Sequence, residues 1–356
     1  MNGGKTLKTT QGAKPSIFLA LQGGGSHGAF TAGVIRALQE NGILENVKGI
    51  SGVSAGAFNA APLSYALNNG TPEKAPSLLK KAWDGVAHSG KSTVLINQMS
   101  RGVSQFFPML VQGARYPNLP QSHVEQMGSF ISLAQAFGAQ TQSGDIKARM
   151  HEAVPDWDVI RTGDIETVIG ATRVEKKGVI SLMSRALFSN KQLSPDVIAA
   201  SATLIGTHQI GKHDYVDGGF TSNPPLDAFY EGEYTDVIAI MLSKRPKYGL
   251  IPLKQDAQIT GQKFLHDEVY NELAWASLKS GKNVHVIEMQ HEPHWDETSK
   301  MNAEPQWIEE LMERGYQAGL DWVAKHKAAL GKETTFKPTI SAGQQLLMDK
   351  PACAVA

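Results

Sequence analysis

A serine between two glycines stands out first, in the stretch GVSAG at residues 52–56. The residues before Ser54 read as a short strand and the residues after it as an Ala-rich helix, a context typical of a nucleophile elbow. Gly52 and Gly56 allow the sharp turn that exposes the serine hydroxyl, and the N-terminus of the following helix stabilises developing negative charge. The pattern predicts a serine that attacks an acyl carbon. The alternative is a turn of small residues in a tightly packed sheet.

A second motif, GGGSHG at residues 23–28, follows an apolar run and opens a helix. Its spacing also fits a dinucleotide-binding loop, but that loop needs an acidic residue at the end of the next strand, where this chain has Ser54 instead. Backbone N–H groups of glycines converge on an anion without side-chain obstruction. A serine that attacks an ester creates such an anion. We therefore predict that Gly23, Gly24 and Gly25 form an oxyanion hole.

Two further motifs could indicate bound phosphate or metal, and their context argues against both. The stretch GVAHSGKS at residues 85–92 fits the P-loop pattern, but a P-loop follows a buried strand and this stretch follows an amphipathic helix. His291 and His294 lie only three residues apart, beside a proline, and match no recognised spacing of metal ligands. We expect neither a metal nor a cofactor.

A serine nucleophile needs a base, and the residues leave two choices open. Serine hydrolases with this elbow place an acidic residue and then a histidine downstream. Asp217, before Gly218 and Gly219, follows a short strand and would point into the crevice where α/β sheets bind ligands, although Asp-Gly-Gly is also a common surface turn. Six histidines are candidates, none in a setting that marks it as catalytic: His208, His213, His266, His285, His291 and His294.

The three motifs, in this order, resemble the patatin-like phospholipases, particularly the short bacterial members, over about residues 15–325. The resemblance implies a Ser–Asp dyad without histidine, with Ser54 as nucleophile, Asp217 as base and the backbone of Gly24 and Gly25 as oxyanion donors. Many members carry Arg or Lys where this chain has His27. Supporting roles are implied for the remaining motif residues, which are His27, Gly28, Gly52, Gly56, Gly218 and Gly219.

The same resemblance implies a function. It is that of a serine lipid acyl hydrolase, a phospholipase A or carboxylic ester hydrolase, which cleaves a lipid or acyl-ester substrate through an acyl-Ser54 intermediate. One alternative is a Ser-His-Asp triad esterase that uses one of the histidines. Another is a catalytically silent lipid-binding protein on the same fold, which a fluorophosphonate probe would fail to label.

The elements that must position these residues alternate between strands and helices. Strands are predicted at residues 17–22, immediately before Ser54, and at 167–174, 179–183, 236–242 and 284–288; helices are predicted at 29–40, 55–67, 72–84, 195–203, 263–280 and 304–329. Pro62 should kink or break the second helix because proline removes a backbone donor. The alternation predicts an α/β fold of three layers, with a mostly parallel central sheet covered on both faces.

The amino-acid composition limits the classes of partner that the protein can be expected to bind. Lysine and arginine together number 34, as do aspartate and glutamate, so no net charge attracts a polyanion and nucleic acid is not expected as a partner. Cys353 is the only cysteine, which excludes an intramolecular disulfide and a cysteine-based zinc site. The sequence shows no signal peptide and no apolar run long enough to span a membrane. The predicted location is cytoplasmic, with transient contact with membrane surfaces.

The chain divides into a polar leader over residues 1–14, a hydrolase domain over 15–330 and a flexible tail over 331–356. Within the domain, segment 96–140 combines clusters of aromatic and apolar residues with many Gly, Ser and Gln residues, and is predicted to cover the site or engage lipid. The alternative is an ordinary set of helices that closes the core. The last four residues, CAVA, match a prenylation signal. We expect this match to matter only if the protein is delivered into a eukaryotic cell.

Overall fold

The computed structural model describes residues 14–88, 139–177, 180–204, 206–243, 269–270, 272–278, 280–293, 295 and 297–338. Several sequence predictions fall outside these residues: almost all of the leader, segment 96–140 up to residue 138, the end of the P-loop match, two histidines and the C-terminal prenylation signal. The two histidines are His266 and His294.

Eight strands form one sheet in the described part of the chain. The strand bounds are β1 Ile17–Leu21, β2 Val47–Val53, β3 Glu166–Lys177, β4 Ile180–Phe188, β5 His208–Ile210, β6 His213–Asp217, β7 Asp236–Met241 and β8 Asn283–Glu288. Their order in the sheet is β5-β6-β3-β2-β1-β7-β8, with β4 paired to β3. Strands β3, β2, β1, β7 and β8 run parallel, whereas β4 and β6 run antiparallel to β3, and β5 antiparallel to β6.

Helices cover the sheet, and the bounds of the α-helices are α1 Gly28–Glu40, α2 Ala55–Asn68, α3 Ala75–His88, α4 Ala139–Ala153, α5 Asp158–Thr162, α6 Pro195–Ser201, α7 Asp227–Glu231 and α8 Pro305–His326. Residues 272–278 are also helical. Gly85, the first glycine of the P-loop match, lies within α3 rather than after a strand. The described half of the match, residues 85–88, is therefore helical and does not form a P-loop. No described helix is long and apolar enough to cross a membrane.

The central strands bury both of their faces. In β1, Ile17 and Leu19 belong to a core shared with α1, α2 and α3, whereas Phe18 and Ala20 belong to a second core with α7 and the helix over 272–278. Successive residues of a strand point to opposite faces, so this alternation means that helices cover both sides of the sheet. The predicted three-layer α/β fold with a mostly parallel sheet is confirmed.

Two segments are packed at points where the sequence suggests an interruption. Helix α2 runs from Ala55 to Asn68 through Pro62, because its surface is packed on almost every side and that packing outweighs one missing backbone bond. Residues 331–338, at the start of the predicted tail, also pack on the domain. Phe336 is buried, and the N–H groups of Thr335 and Phe336 both donate to the carbonyl oxygen of Val284. The segment after α8 thus packs on β8.

Strand β3 is the junction that sets up the site. Its first half pairs with β2, ending with Val53 opposite Gly170, and its next residues pair with β6, beginning with Asp217 opposite Ala171. Strand β4 pairs with the opposite edge of β3 over residues 169–177, so β2 and β6 lie end to end along one edge. The residue after Val53 is therefore brought next to Asp217.

Candidate active site

Ser54 occupies a strained turn between β2 and α2. Its backbone has φ 54° and ψ −122°, and it is the sole non-glycine residue with a positive φ in the part of the chain that the structure describes. Such a conformation costs on the order of 1–3 kcal/mol and is maintained by its surroundings. A Cβ on Gly52 would lie 2.5 Å from the carbonyl oxygen of Gly56, and a Cβ on Gly56 would clash with that of Leu21. The two glycines thus allow strand, turn and helix to approach closely.

Two buried hydrogen bonds hold the turn. The backbone N–H of Ser54 donates to Oγ of Ser201 over 2.9 Å, and Ser201 Oγ donates to the carbonyl oxygen of Gly170 over 2.6 Å. Ser201 is the last residue of α6 and is fully buried. The sequence motifs do not indicate this residue. Nothing in its local pattern distinguishes it from any other serine in a predicted helix.

Asp217 is the last residue of β6 and is 7% exposed. Burial raises the pKa of its carboxyl group to about 6, although hydrogen bonds from the Ser54 side chain and the Gly219 backbone oppose the shift. The Gly219 N–H donates to Oδ1 over 2.7 Å. Gly218 packs so closely on Gly170 that a Cβ would clash with the Gly170 carbonyl oxygen. A carboxylate with a raised pKa that faces a serine hydroxyl can accept its proton.

The glycine loop touches the serine. A Cβ on Gly23 would lie 2.8 Å from Cβ of Ser54, so only glycine fits at this point. The N–H of Gly23 donates to Oδ1 of Asn223 over 2.6 Å, and the Asn223 amide donates back to the Gly23 carbonyl over 3.3 Å. Contrary to the sequence prediction, the N–H of Gly23 is therefore occupied and is not open to an oxyanion.

Gly24 and Gly25 follow at the N-terminus of a short 3₁₀ turn that leads into α1. Gly25 has φ +59°, and a Cβ there would clash with the carbonyl oxygen of Lys300. The first N–H groups of a helical segment have no partner within it and favour anions. Gly28 begins α1, where a Cβ would lie 2.6 Å from Cβ of Ala55, so the helices on both motifs pack closely.

His27 is buried and uncharged. Its Nε2 lies 2.9 Å from Oγ of Ser299, and its ring contacts those of His291, Trp295 and Trp307. Burial, aided by the positive charge of Lys300 and by His291, lowers its pKa to about 3. His27 therefore supplies no fixed cation where many proteins of this pattern carry Arg or Lys.

Three of the other candidate histidines have partners elsewhere. His208 Nε2 lies 3.1 Å from Asp196, His285 Nε2 lies 2.9 Å from Asp236, and His291 Nε2 lies 2.8 Å from the carbonyl oxygen of Leu242. The strand register places His285 of β8 level with Ile50 of β2, three strands away. Ile50 itself lies four residues before Ser54 in the sequence. Within the described ranges, no group of three or more His, Cys, Asp or Glu residues could hold a metal ion.

A strained serine between a parallel strand and a helix, with a buried acid beside it, is the arrangement of α/β serine hydrolases. A family model described as patatin-like phospholipase matches residues 19–230, more than half of the chain. The chain belongs to the patatin-like phospholipase family. This membership indicates a lipid hydrolase.

Solved structures that the chain is similar to include VipD from Legionella pneumophila, at 16% identity and a TM-score of 0.43, with 88% of this chain and 68% of VipD covered. Human GIVD cytosolic phospholipase A2 is 10% identical with a TM-score of 0.48, with 89% of this chain and 59% of that chain covered.

A chain of the ExoU–SpcU complex from the type III secretion system of Pseudomonas aeruginosa is 17% identical with a TM-score of 0.36, with 88% of this chain and 52% of that chain covered. The present chain thus spans less than two thirds of the human and Pseudomonas proteins. A search of curated proteins found no match.

Proposed function

We propose that this protein is a serine lipid acyl hydrolase that cleaves carboxylic esters with a Ser54–Asp217 dyad. The observation that carries the proposal is the strand register that brings Ser54, in its strained turn, next to Asp217, a buried carboxyl group whose pKa is raised to about 6 by burial. A free aspartate, with a reference pKa of about 3.9, is a poor base at neutral pH. Burial makes Asp217 a stronger base while leaving it largely ionised near pH 7.

In the first half of the reaction, the Ser54 hydroxyl transfers its proton to Asp217 while its oxygen bonds to the acyl carbon. The tetrahedral intermediate collapses, the bond to the leaving alcohol breaks, and Asp217 returns the proton to that alcohol. In the second half, water gives a proton to Asp217 and attacks the acyl-Ser54 ester, and Ser54 recovers its proton as the fatty acid departs. One carboxyl group thus serves as base and then as acid in each half.

The negative charge of the tetrahedral intermediate needs donors that do not move. We assign them to the N–H groups of Gly24 and Gly25, at the start of the 3₁₀ turn, and exclude Gly23 because its N–H is bonded to Asn223. The N-terminus of α2, which begins directly after Ser54, adds a favourable dipole. The bonds between Gly23 and Asn223 have a separate role, which is to fix the loop against the serine.

The triad alternative has less support. His208 and His285 are each bonded to another aspartate, and the strand register separates His285 from Ser54. Neither contact places an imidazole between Ser54 and Asp217, which the strand register makes direct neighbours. A dyad therefore accounts for the site with the residues that are in contact.

The test begins with a fluorophosphonate probe, which labels a serine only when its nucleophilicity is raised. We expect the wild-type chain to be labelled at Ser54 and the Ser54→Ala variant to be unlabelled. Absence of labelling in a folded wild-type protein would favour the silent lipid-binding alternative. Hydrolysis of a short soluble ester should follow the same pattern, so that access to aggregated lipid does not confuse the result.

A second set of variants tests the base. Replacing each of the four candidate histidines that the structure describes with alanine should leave more than about a tenth of the activity, because none moves a proton in the dyad. Loss as severe as that of Ser54→Ala, in a protein that still folds, would replace the dyad with a triad. The variants are His208→Ala, His213→Ala, His285→Ala and His291→Ala.

A further inference from the structure

The glycine loop at residues 23–27 is in contact with a segment far along the chain. A short 3₁₀ turn, Glu297–Met301, lies between β8 and α8, and we call it the brace. The carbonyl oxygen of Lys300 packs on Gly25 so closely that a Cβ on this glycine would clash with it. The brace lies outside residues 19–230, over which the family model matches, so the match itself does not indicate this contact.

The next two loop residues are bonded to the brace through Ser299. The Ser26 hydroxyl donates to the Ser299 carbonyl oxygen over 3.1 Å, and Nε2 of His27 lies 2.9 Å from Ser299 Oγ. Ser26 and His27 are both buried, and hydrogen bonds of buried groups are expensive to leave unmade. Three consecutive loop residues, from Gly25 to His27, are thus held by two consecutive residues of the brace.

The brace is itself fixed on α8. Trp307, in the first turn of α8, donates from its indole N–H to Ser26 Oγ over 3.2 Å, and its ring centre lies 4.9 Å from that of Trp295, just before the brace. Helix α8 in turn packs directly on α1, where a Cβ on Gly33 would clash with the carbonyl oxygen of Met312. The loop and the brace are therefore carried by two helices in backbone contact.

The glycines cannot hold the loop by themselves. Gly24 and Gly25 have no side chains, and glycine has the greatest backbone freedom of any residue. Oxyanion donors must not reorganise as charge develops, and a displacement of about 1 Å can cost about a hundredfold in rate. The bonds between Gly23 and Asn223 fix one end of the loop. The other end depends on what holds the residues from Gly25 onwards.

We propose that Ser299 is a positioning residue for the oxyanion hole and acts through its bond to His27. This bond keeps the N–H groups of Gly24 and Gly25 in place while the negative charge develops. The proposal rests on the proposed function, because an oxyanion forms only when a serine attacks an ester. His27 acts here as a neutral ring rather than as an acid or base, because burial lowers its pKa to about 3.

The first test compares kcat and KM on a short soluble ester. Ser299→Ala removes the hydroxyl and leaves the backbone, and His27→Phe keeps a buried ring without its nitrogens. Each should lower kcat about tenfold and leave KM within about twofold, because the oxyanion is absent from the ground state. The double variant should be little worse than either, since both changes break one bond. Ser299→Thr keeps the hydroxyl and should recover most of the rate.

A trifluoromethyl ketone measures the oxyanion hole separately from turnover. The Ser54 oxygen bonds to the ketone carbon, Asp217 takes the serine proton, and the ketone oxygen becomes an oxyanion that no leaving group can relieve. The inhibition constant should rise about tenfold in Ser299→Ala, in proportion to the loss of kcat. A fall in kcat with unchanged inhibition would overturn the proposal, because the defect would then lie outside the oxyanion hole.

Thr335 provides a matched control. Its Oγ1 lies 2.9 Å from Nδ1 of the buried His285, so the same kind of bond, from a hydroxyl to a buried imidazole, occurs on β8, three strands from β2. Thr335→Val removes this hydroxyl and should leave kcat within about twofold. Equal losses of kcat in Thr335→Val and Ser299→Ala would overturn the proposal, because a general loosening of the fold would then explain both.

Hydrogen exchange separates this proposal from the proposed function. In Ser299→Ala the backbone amides of residues 22–30 should exchange at least about fivefold faster than in the wild type, and in Thr335→Val they should not. Wild-type kcat and wild-type exchange in Ser299→Ala would overturn the positioning role and leave the hydrolase intact. Absence of Ser54-dependent hydrolysis in the wild type would overturn the hydrolase, and the positioning role with it, whatever the exchange rates.

Discussion

Two buried aspartates lie at opposite ends of the sheet and have opposite electrostatic properties. Asp217 ends β6 beside Ser54, and Asp236 begins β7 at the other edge. Asp217 is 7% exposed and Asp236 is fully buried. Burial alone would raise the pKa of both carboxyl groups. It does so at Asp217, to about 6, whereas the pKa of Asp236 lies below its usual value.

The pKa values of the two carboxyl groups differ because different numbers of hydrogen-bond donors surround them. Asp236 accepts hydrogen bonds from His285 Nε2 at 2.9 Å, from the Gly331 N–H at 2.9 and 3.1 Å, and from the Thr235 hydroxyl. Together these outweigh the cost of burial. Asp217 has one backbone donor, Gly219, and the hydroxyl of Ser54, and these do not outweigh it. A fully compensated carboxylate holds the fold together, whereas an under-compensated one remains able to take a proton.

The largest expected effect tests that division of roles. Asp217→Asn keeps the shape of the side chain and removes the base, so kcat/KM on a soluble ester should fall by about three orders of magnitude or more. Ser54→Ala should cause a similar loss, and the double variant should be little worse than either, because the two residues act as a unit. Asp236→Asn is the matched control and should retain activity within about threefold per folded molecule. Comparable losses of kcat/KM in Asp217→Asn and Asp236→Asn would show that the two aspartates do not have separate roles in activity and in stability.

The second prediction concerns the free energy of unfolding rather than activity, and here the loss is expected at Asp236. Asp236→Ala leaves the buried His285 ring and the Gly331 N–H without their acceptor, so the free energy of unfolding should fall by about 3 kcal/mol. Urea unfolding at pH 7 measures this loss. Asp158→Ala, at a carboxylate whose side chain is 75% exposed and pairs with Arg161, should cost less than about 1 kcal/mol. A loss at Asp236 no larger than that at Asp158 would show that the buried pair does not stabilise the fold.

The third prediction concerns the sign of the pH dependence. Between pH 3.8 and about 6 the folded state keeps a proton on Asp217 that the unfolded state has lost. The contribution of Asp217 to stability is therefore greatest below pH 3.8 and decreases until pH 6. Asp217→Asn lacks this titration, so above pH 6 it should be more stable than the wild type by about 2–3 kcal/mol.

Two pH series of urea unfolding check this expectation. The advantage of Asp217→Asn should disappear as the pH is lowered from 6 to 4, whereas the contribution of Asp236, whose pKa is lowered, is present above pH 3.8 and decreases below it. The activity of the wild type should rise towards a plateau through about pH 6, because the ionised form of Asp217 is the base. Parallel stability profiles for Asp217→Asn and the wild type would show that burial imposes no cost on this carboxyl group.

The parts of the molecule that the sequence predicted are those encoded locally. The alternation of strands and helices indicated the layers, and short glycine motifs indicated Ser54 and Asp217 as neighbours of turns. The length of β3 was underestimated, because β3 reaches Lys177 beyond the apolar run on which its prediction depended. Strand β5 was missed because its three residues have no apolar pattern.

The contacts that position the site could not be predicted in the same way. Asn223 bonds Gly23 across 200 positions, and Ser201 bonds Ser54 across 147. Both are ordinary polar residues whose partners are determined by how distant segments pack. The occupation of the Gly23 N–H, which leaves it no hydrogen to donate to an oxyanion, follows from such a contact. A single sequence indicates which residues can do chemistry, whereas the packing decides which backbone groups remain available for it.

The smallest effect is expected at Ser201, which touches no reacting atom and acts through the Ser54 backbone. Ser201→Ala removes the acceptor of the Ser54 N–H and the donor to Gly170, so the strained turn loses part of its support. We expect kcat on a soluble ester to fall about tenfold with KM little changed, and the free energy of unfolding to fall by about 1–2 kcal/mol. Ser64 is a matched control, since it is equally buried, lies in α2 and bonds Thr167 over 2.7 Å. Ser64→Ala should lose similar stability and keep its kcat. If Ser201→Ala behaves in the same way as Ser64→Ala, the turn is held by backbone packing alone, and Ser201 has no role in positioning the nucleophile.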